Sequence, residues 1–199
     1  IAWERASARK LPTIFFINKL DEEHTSFEQA YEQLRETFGK SVIPFEVPIV
    51  ENGEIIGSVN VLRDKAWYYK GPLADPDKAQ PVPEDMVDAV NGYKDQIAEA
   101  VAMGDDELME KFFSGESFTE AELTRGVRLG VRNGEIRPVF SGSALQSIGI
   151  ERLMDLIIKY FPAYGEGGNY AAYDENGEEI LLETNEKENL SAQVFKTIV

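Results

Sequence analysis

The sequence contains no cysteine and a single histidine, His24. Disulfides, thiolate nucleophiles and sulfur-ligated zinc or iron are thereby excluded. A lone imidazole with no second ligand type clustered beside it reads as an exposed loop residue, not as a metal ligand or an acid–base group. Bases are scarce: 20 Lys and Arg stand against 36 Asp and Glu, a formal charge of -16. That balance argues against a broad basic surface that binds nucleic acid by neutralising phosphates. Long apolar runs are missing as well. The most apolar stretch, Leu11 to Ile17, falls far short of the ~20 residues of a membrane span and has no signal-peptide flanks. A soluble, cytoplasmic protein is expected. What is present is ordinary globular material: 199 residues, 43% apolar, 11% aromatic and 28% charged, enough to bury a substantial core. The first residue is Ile1, and Ser191 to Val199 reads as a strand with no turn after it, so the sequence reads as an excerpt of a longer chain.

Leu11 to Ile17 has the composition of a strand buried on both faces, entered by Pro12 and left at Asn18, which points to a parallel sheet. Ser26 and Gln29 form a capping-box pattern ahead of Phe27, Ala30, Tyr31, Leu34 and Phe38 at helical spacing, and Gly39 is placed to end that helix. From Ser41 to Tyr69 the pattern changes. Val42 to Val50 and Glu54 to Val61 are β-rich and flank Asn52-Gly53, a strong hairpin signal, and Lys65 to Tyr69 adds a third strand. After the proline-rich stretch from Gly71 to Pro83, Met86, Val90, Tyr93, Ile97 and Val101 mark a helix face. Leu108 and Phe112 open a second helix, and Thr119 with Glu122 caps a third that ends before Gly134. Ile136 to Phe140 is again a short apolar strand, followed by Ser141-Gly142-Ser143-Ala144 and by a helix from Ile150 to Phe161 closed by Pro162. Asp174 to Gly177 reads as a turn between two short strands.

Chemistry concentrates in Asn18-Lys19-Leu20-Asp21, directly after a buried strand, where open parallel sheets bind ligands. An Asp21 carboxylate can accept from both N1–H and the exocyclic amine of guanine, a donor pair that adenine lacks. Asn18 can bond N7 and tie neighbouring loops together, and the Lys19 methylenes can cover the base. Ser143-Ala144-Leu145 stands at the end of the second buried strand, where the Ala144 amide can donate to O6. Alone, this second motif is equally explained by a tight strand–helix turn. Phe38-Gly39-Lys40-Ser41 imitates the end of a P-loop, but the glycine required five residues before Gly39 is Leu34, and the segment closes a helix where a P-loop opens one. Gly165 to Gly168 lacks the following helix of a nucleotide loop and reads as a linker.

The order of NKLD, a long β-then-α insertion, and SGSAL before a helix resembles the second half of the GTPase domain in translational GTPases of the elongation factor G type. Ile55 to Val61, continuing through Lys65-Ala66-Trp67, is similar to the hairpin of that family's accessory subdomain. Asp105-Asp106-Glu107-Leu108-Met109-Glu110-Lys111 is similar to its D-D-E-L-M-E-K helix. The resemblance implies an α/β fold: a partial P-loop GTPase-type parallel sheet with an inserted α+β subdomain of antiparallel hairpin and helices. The domain boundaries it implies are 1–40 and 135–164 for the two parts of the GTPase domain and 41–134 for the insertion. A connection would follow over 165–190, and 191–199 would be the first strand of a following β-barrel domain. It further implies GTP/GDP as ligand, guanine contacts from Asn18, Lys19, Asp21, Ser143, Ala144 and Leu145, and Mg2+ held by residues upstream. The phosphate loop, the switches and the catalytic histidine of that family are also upstream, so no catalytic residue is expected here and the chain alone should not hydrolyse GTP. Activity in translocation on the ribosome, as a monomer, is the implied role. Ribosomal protection against tetracycline and release-factor recycling are the related alternatives.

Between Glu84 and Leu123 there are 12 acidic residues and only Lys94 and Lys111 as bases. Such a face either aids solubility or docks a basic partner. The resemblance makes that partner the ribosomal stalk protein, with Asp105, Asp106 and Glu107 as candidate contacts and no nucleic-acid contact by these helices. An interaction module in which NKLD is merely structural is the reading from a different class.

Overall fold

Along the chain, α1 (Ala2–Ala8) precedes β1 (Phe15–Ile17), α2 (Phe27–Phe38) and β2 (Val42–Pro44). The strands β3 (Glu46–Glu51), β4 (Glu54–Asn60), β5 (Lys65–Lys70) and β6 (Leu73–Ala74) follow, then α3 (Val87–Met103), α4 (Asp106–Ser114), α5 (Glu120–Asn133), β7 (Arg137–Ser141) and α6 (Ile150–Tyr160). The structure, a computed structural model, describes residues 2–70, 73–74, 78–163, 166, 170–183 and 187. It divides into two units, Ile1–Phe161 and Pro162–Val199.

In the first unit, β7 lies between β1 and β2 in a parallel sheet, with Phe15 opposite Val139 and Val42 opposite Arg137. Val42, Ile43, Val139 and Phe140 are buried, as the apolar runs require. The second layer is an antiparallel sheet in the order β3-β4-β5-β6, and the fold is α/β with a parallel sheet and a separate antiparallel one. The hairpin turn is built at Asn52 and Gly53, whose φ values of 52° and 83° are the left-handed pair that a tight two-residue turn needs.

The β-rich run from Val42 to Val50 is two strands where the sequence suggests one. Its break at Phe45 has a backbone cause. The Phe45 amide donates to Val139 O at 3.0 Å, while its carbonyl accepts from Val61 N at 3.0 Å. One residue thus closes the parallel sheet and opens the antiparallel one, and Val42–Pro44 belongs to the parallel sheet. The first strand is also shorter than the apolar run from Leu11, since only Phe15–Ile17 finds a partner strand.

The helices end where their caps predict. Ser26 accepts from Gln29 N at 3.2 Å, though its hydroxyl donates to the Glu28 carboxylate, and Gly39 closes α2 at φ 91°. Thr119 and Glu122 form the complete reciprocal box of α5. The sequence reading did not foresee α1, a seven-residue polar helix. It is held by Trp3, whose ring centroid lies 4.5 Å from that of Phe38, with the Arg137 guanidinium 4.7 Å above it.

The second unit contains a hairpin of β8 (Tyr170–Tyr173) and β9 (Glu179–Leu182). Its turn is organised by Asp174, whose carboxylate accepts from Asn176 N at 2.8 Å and Glu178 N at 2.9 Å. Ser191 to Val199, expected to be a strand, lies outside the described residues, as does most of Gly165 to Gly168.

Candidate functional site at the ends of two parallel strands

Because β1 and β7 are parallel neighbours, Asn18 to Asp21 and Gly142 to Leu145 leave the sheet at the same, carboxyl, end of the strands. Three hydrogen bonds lace the two segments together. Gly142 N donates to Ile17 O at 3.0 Å, Leu20 N donates to Gly142 O at 3.2 Å, and Ala144 N donates to Asn18 Oδ1 at 2.8 Å. Asn18 therefore ties the loops together, as its amide chemistry suggests. The Ala144 amide is engaged by Asn18 in this structure.

The rest of each loop is positioned by burial and local hydrogen bonds. Leu20 is buried and anchors the first loop in the core. Lys19 adopts φ 66° and is exposed, its ammonium 2.9 Å from Glu22 Oε1. The hydrogen bond to that carboxylate raises the Lys19 pKa, which keeps it a cation. Asp21 is half-buried, and among the described residues no hydrogen bond to its carboxylate is formed. Thr25 Oγ1 donates to Glu22 O at 2.9 Å and closes the loop before α2.

In the second loop, Ser143 is fully buried, and its hydroxyl accepts from Gln146 N at 3.1 Å. Its backbone exchanges both bonds with Ile148, at 3.1 and 2.9 Å. This loop therefore closes on itself, leaving Ala144 exposed and the Leu145 side chain 93% exposed. Gly142 is the residue that sequence reasoning passed over. A Cβ there would fall inside contact distance of the Ile148 carbonyl, so only glycine permits the close crossing. Two glycines bracketing the loop, Gly142 and Gly149, were the available signal.

The arrangement presents a carboxylate with open acceptor capacity, an amide side chain and a cation with an alkyl stem on one loop. A second loop presents its backbone beside them. Residues 1–163 match the family model of the elongation factor Tu GTP binding domain. The chain belongs to this family. An elongation factor G-like protein from Thermotoga maritima is 36% identical over 197 residues, covering 99% of this chain and 28% of that protein. Elongation factor G from Mycoplasma pneumoniae is 27% identical over 194 residues, again spanning 28% of its length. A crystal structure of a protein from Thermus thermophilus superposes with a TM-score of 0.74 at 28% identity, over 85% of this chain and 25% of that one. The chain thus spans about a quarter of the relatives it matches, and the resemblance to translational GTPases of the elongation factor G type is borne out as that of a part.

The other sequence candidates fall into place differently. Asp105 caps α4, accepting from Glu107 N at 3.0 Å and Leu108 N at 3.3 Å, and lies 3.1 Å from Arg125 Nη2. Glu107 is 3.7 Å from the same guanidinium, and Asp106 is exposed. His24 is exposed at φ 62°. Gly39 ends α2 and Ser41 accepts from the Arg137 guanidinium, which gives the P-loop imitation a structural account. Among the described residues, no group of three His, Asp or Glu side chains is placed to hold a metal ion, and no helix is long and apolar enough to cross a membrane.

Proposed function

We propose that this chain is the guanine-recognition half of a ribosome-associated translational GTPase of the elongation factor G type, together with its inserted accessory subdomain. The observation that carries the reading is the Asn18–Ala144 bridge between two loops on adjacent parallel strands, with the Asp21 carboxylate left open beside it. Asp21 would select guanine by accepting from N1–H and the 2-amine, and Lys19 would cover the ring with its methylenes. Asn18 would bond N7 while holding the Ala144 loop, whose amide would be shared with O6. Ser143 positions that loop from below, and Leu145 completes its exposed rim.

Residues 1–40 and 135–164 would then be the two parts of the GTPase domain and 41–134 the insertion, except that β2 (Val42–Pro44) stays with the parallel sheet of the GTPase part; 165–190 would be a connection and 191–199 the opening strand of a barrel domain. GTP hydrolysis and its Mg2+ would belong to the intact cytoplasmic protein acting as a monomer in translocation, with phosphate-binding and catalytic groups supplied from outside this chain. The acidic helices α3 and α4 would face the ribosomal stalk protein.

Binding of GDP and xanthosine diphosphate to wild type and Asp21→Asn tests the base assignment. Xanthine carries a carbonyl where guanine carries the 2-amine, and an asparagine amide can donate to it. Hydrogen bonds to a charged group are worth about 1.5 to 3 kcal/mol each, so GDP affinity should fall at least about tenfold while xanthosine diphosphate affinity rises. Equal GDP affinity in both proteins would make NKLD a structural loop.

A further inference from the structure

A cavity of about 600 Å³ opens on the first unit between the hairpin sheet, α5 and α6. None of Asn18 to Asp21 or Ser143 to Leu145 lines it, so it is separate from the proposed base site. Its floor is apolar and aromatic: Phe45, Trp67, Phe140, Leu156 and Tyr160 are all buried side chains that line it. Its polar lining is unusual for this molecule. Arg63, Lys65, Arg152 and Lys159 line it against only two acids, Glu120 and Asp155, in a chain whose formal charge is -16.

These cations are only partly neutralised inside the fold: the buried Glu46 carboxylate, whose pKa burial raises, faces Arg152 and Arg63. The Arg152 guanidinium lies 4.8 Å from the Trp67 ring centroid, and its carboxylate neighbour, Asp155, is 4.0 Å away. Lys159 sits 5.2 Å from the Tyr160 ring centroid. Among the described residues, Arg63, Lys65 and Lys159 form no ion pair. Stacking on aromatic faces fixes the direction of a cation without neutralising it. An apolar concavity of this size with a few convergent charges is the usual form of a binding site.

We propose that this cavity docks a short acidic peptide segment of a protein partner. An apolar side chain of the peptide enters the floor between Phe45, Trp67 and Tyr160, and its carboxylates meet Arg63, Lys65, Arg152 and Lys159. Charge complementarity selects this occupant. A nucleic-acid strand carries a phosphate at every step, and its repulsion from a chain of formal charge -16 grows with its length. A peptide with a few carboxylates satisfies the local cations and leaves the rest of its length neutral. The hydrophobic anchor supplies contact, and the cations supply orientation and encounter rate.

The test uses the chain labelled with 5-fluorotryptophan, the Trp67 fluorine resonance being assigned by Trp67→Phe. The probe is a synthetic peptide of about ten residues with acidic side chains around one central phenylalanine. Comparators are the same peptide with Asn and Gln in place of the acids, and a single-stranded oligouridylate of equal length. The acidic peptide should shift the Trp67 resonance saturably, and its affinity should fall about tenfold or more in the double variant Arg63→Glu, Lys65→Glu and at high salt. Both positions are exposed, and because Arg63 faces buried Glu46 the uncharged pair Arg63→Gln, Lys65→Gln serves as the second variant, which should lower affinity in the same direction. Asp21→Asn should leave peptide binding unchanged, which separates this site from the guanine reading. Absence of a Trp67 shift, equal binding of the neutral peptide, or tighter binding of the oligouridylate would each overturn the proposal, the last by making the cavity a nucleic-acid site.

Discussion

Asp21 and Asp105 are both carboxylates in charged loops ahead of a helix, and the fold treats them in opposite ways. The Asp105 carboxylate is fully engaged: it accepts two amides of the first turn of α4 and pairs with Arg125. The Asp21 carboxylate is half-buried at the end of a parallel strand and, among the described residues, accepts nothing. Acidic density alone therefore does not mark a site. Part of the charge on the inserted helices is architecture, and what distinguishes the strand-end loop is acceptor capacity left open beside a rigid, cross-braced neighbour.

The most damaging way to break this comparison is to separate the two braced loops. Gly142 bonds both ways, its amide to Ile17 and its carbonyl to Leu20, and a side chain there would collide with the Ile148 carbonyl. Backbone, not a flexible side chain, is what must move. Gly142→Ala should cost about 3 kcal/mol in urea denaturation, at the upper end of common single substitutions. It should also weaken GDP binding more than any change on α4, because Asn18 and Ala144 would lose their register. Wild-type stability and GDP affinity in this variant would show that the crossing is looser than the geometry indicates.

Much of this was legible in the sequence because the signals were local. The Asn52-Gly53 turn, the Ser26 and Thr119 caps, and the closing Gly39 and Gly134 are each fixed by a few neighbouring residues. The two loops were readable from their position after apolar strands. The break at Phe45 was not, because it depends on hydrogen bonds to Val139 and Val61, both distant in sequence. Helix α1 was hidden because its short run of good helix formers carries no cap and no apolar periodicity, and its anchor is the contact of Trp3 with Phe15 and Phe38. In the candidate site, the residue types were legible, but the engagement of the Ala144 amide by Asn18 was not. A long-range side-chain bond leaves no local pattern.

A smaller effect sharpens the comparison from the other side. Asp105→Ala removes an N-cap and an exposed ion pair, and N-cap losses are typically worth about 1 kcal/mol. Thermal melting should show that loss while GDP affinity stays at the wild-type value. Asp106→Ala, at an exposed position outside the cap, should change stability by less than about 0.5 kcal/mol. This difference also decides how the proposed stalk docking is probed. Reversing the charge of Asp105 would disturb α4 itself, whereas changes at Asp106 leave the helix start intact.

A pH-dependent effect separates structural carboxylates by their response to acid. Lys111 Nζ lies 2.5 Å from Glu122 Oε1, and the Thr119 amide donates to the other oxygen at 2.8 Å. These bonds hold the Glu122 carboxyl down at about 2, from an ordinary value of 4.5. A folded-state pKa below the unfolded one contributes stability above the unfolded value, and that stability is lost as pH falls toward the folded one. For Glu122 the window runs from 4.5 down to about 2. Buried Glu46 has the opposite sign: burial raises its pKa, so stability tied to its neutral form is present below 4.5 and is lost as pH rises through the folded value. In acid denaturation followed by circular dichroism, Glu122→Gln should be less stable than wild type above pH 4.5, and the two curves should converge by about pH 2. A gap that stayed constant across that window would mean the lysine and threonine bonds act equally on the charged and neutral side chain, and that α5 is capped without electrostatic help.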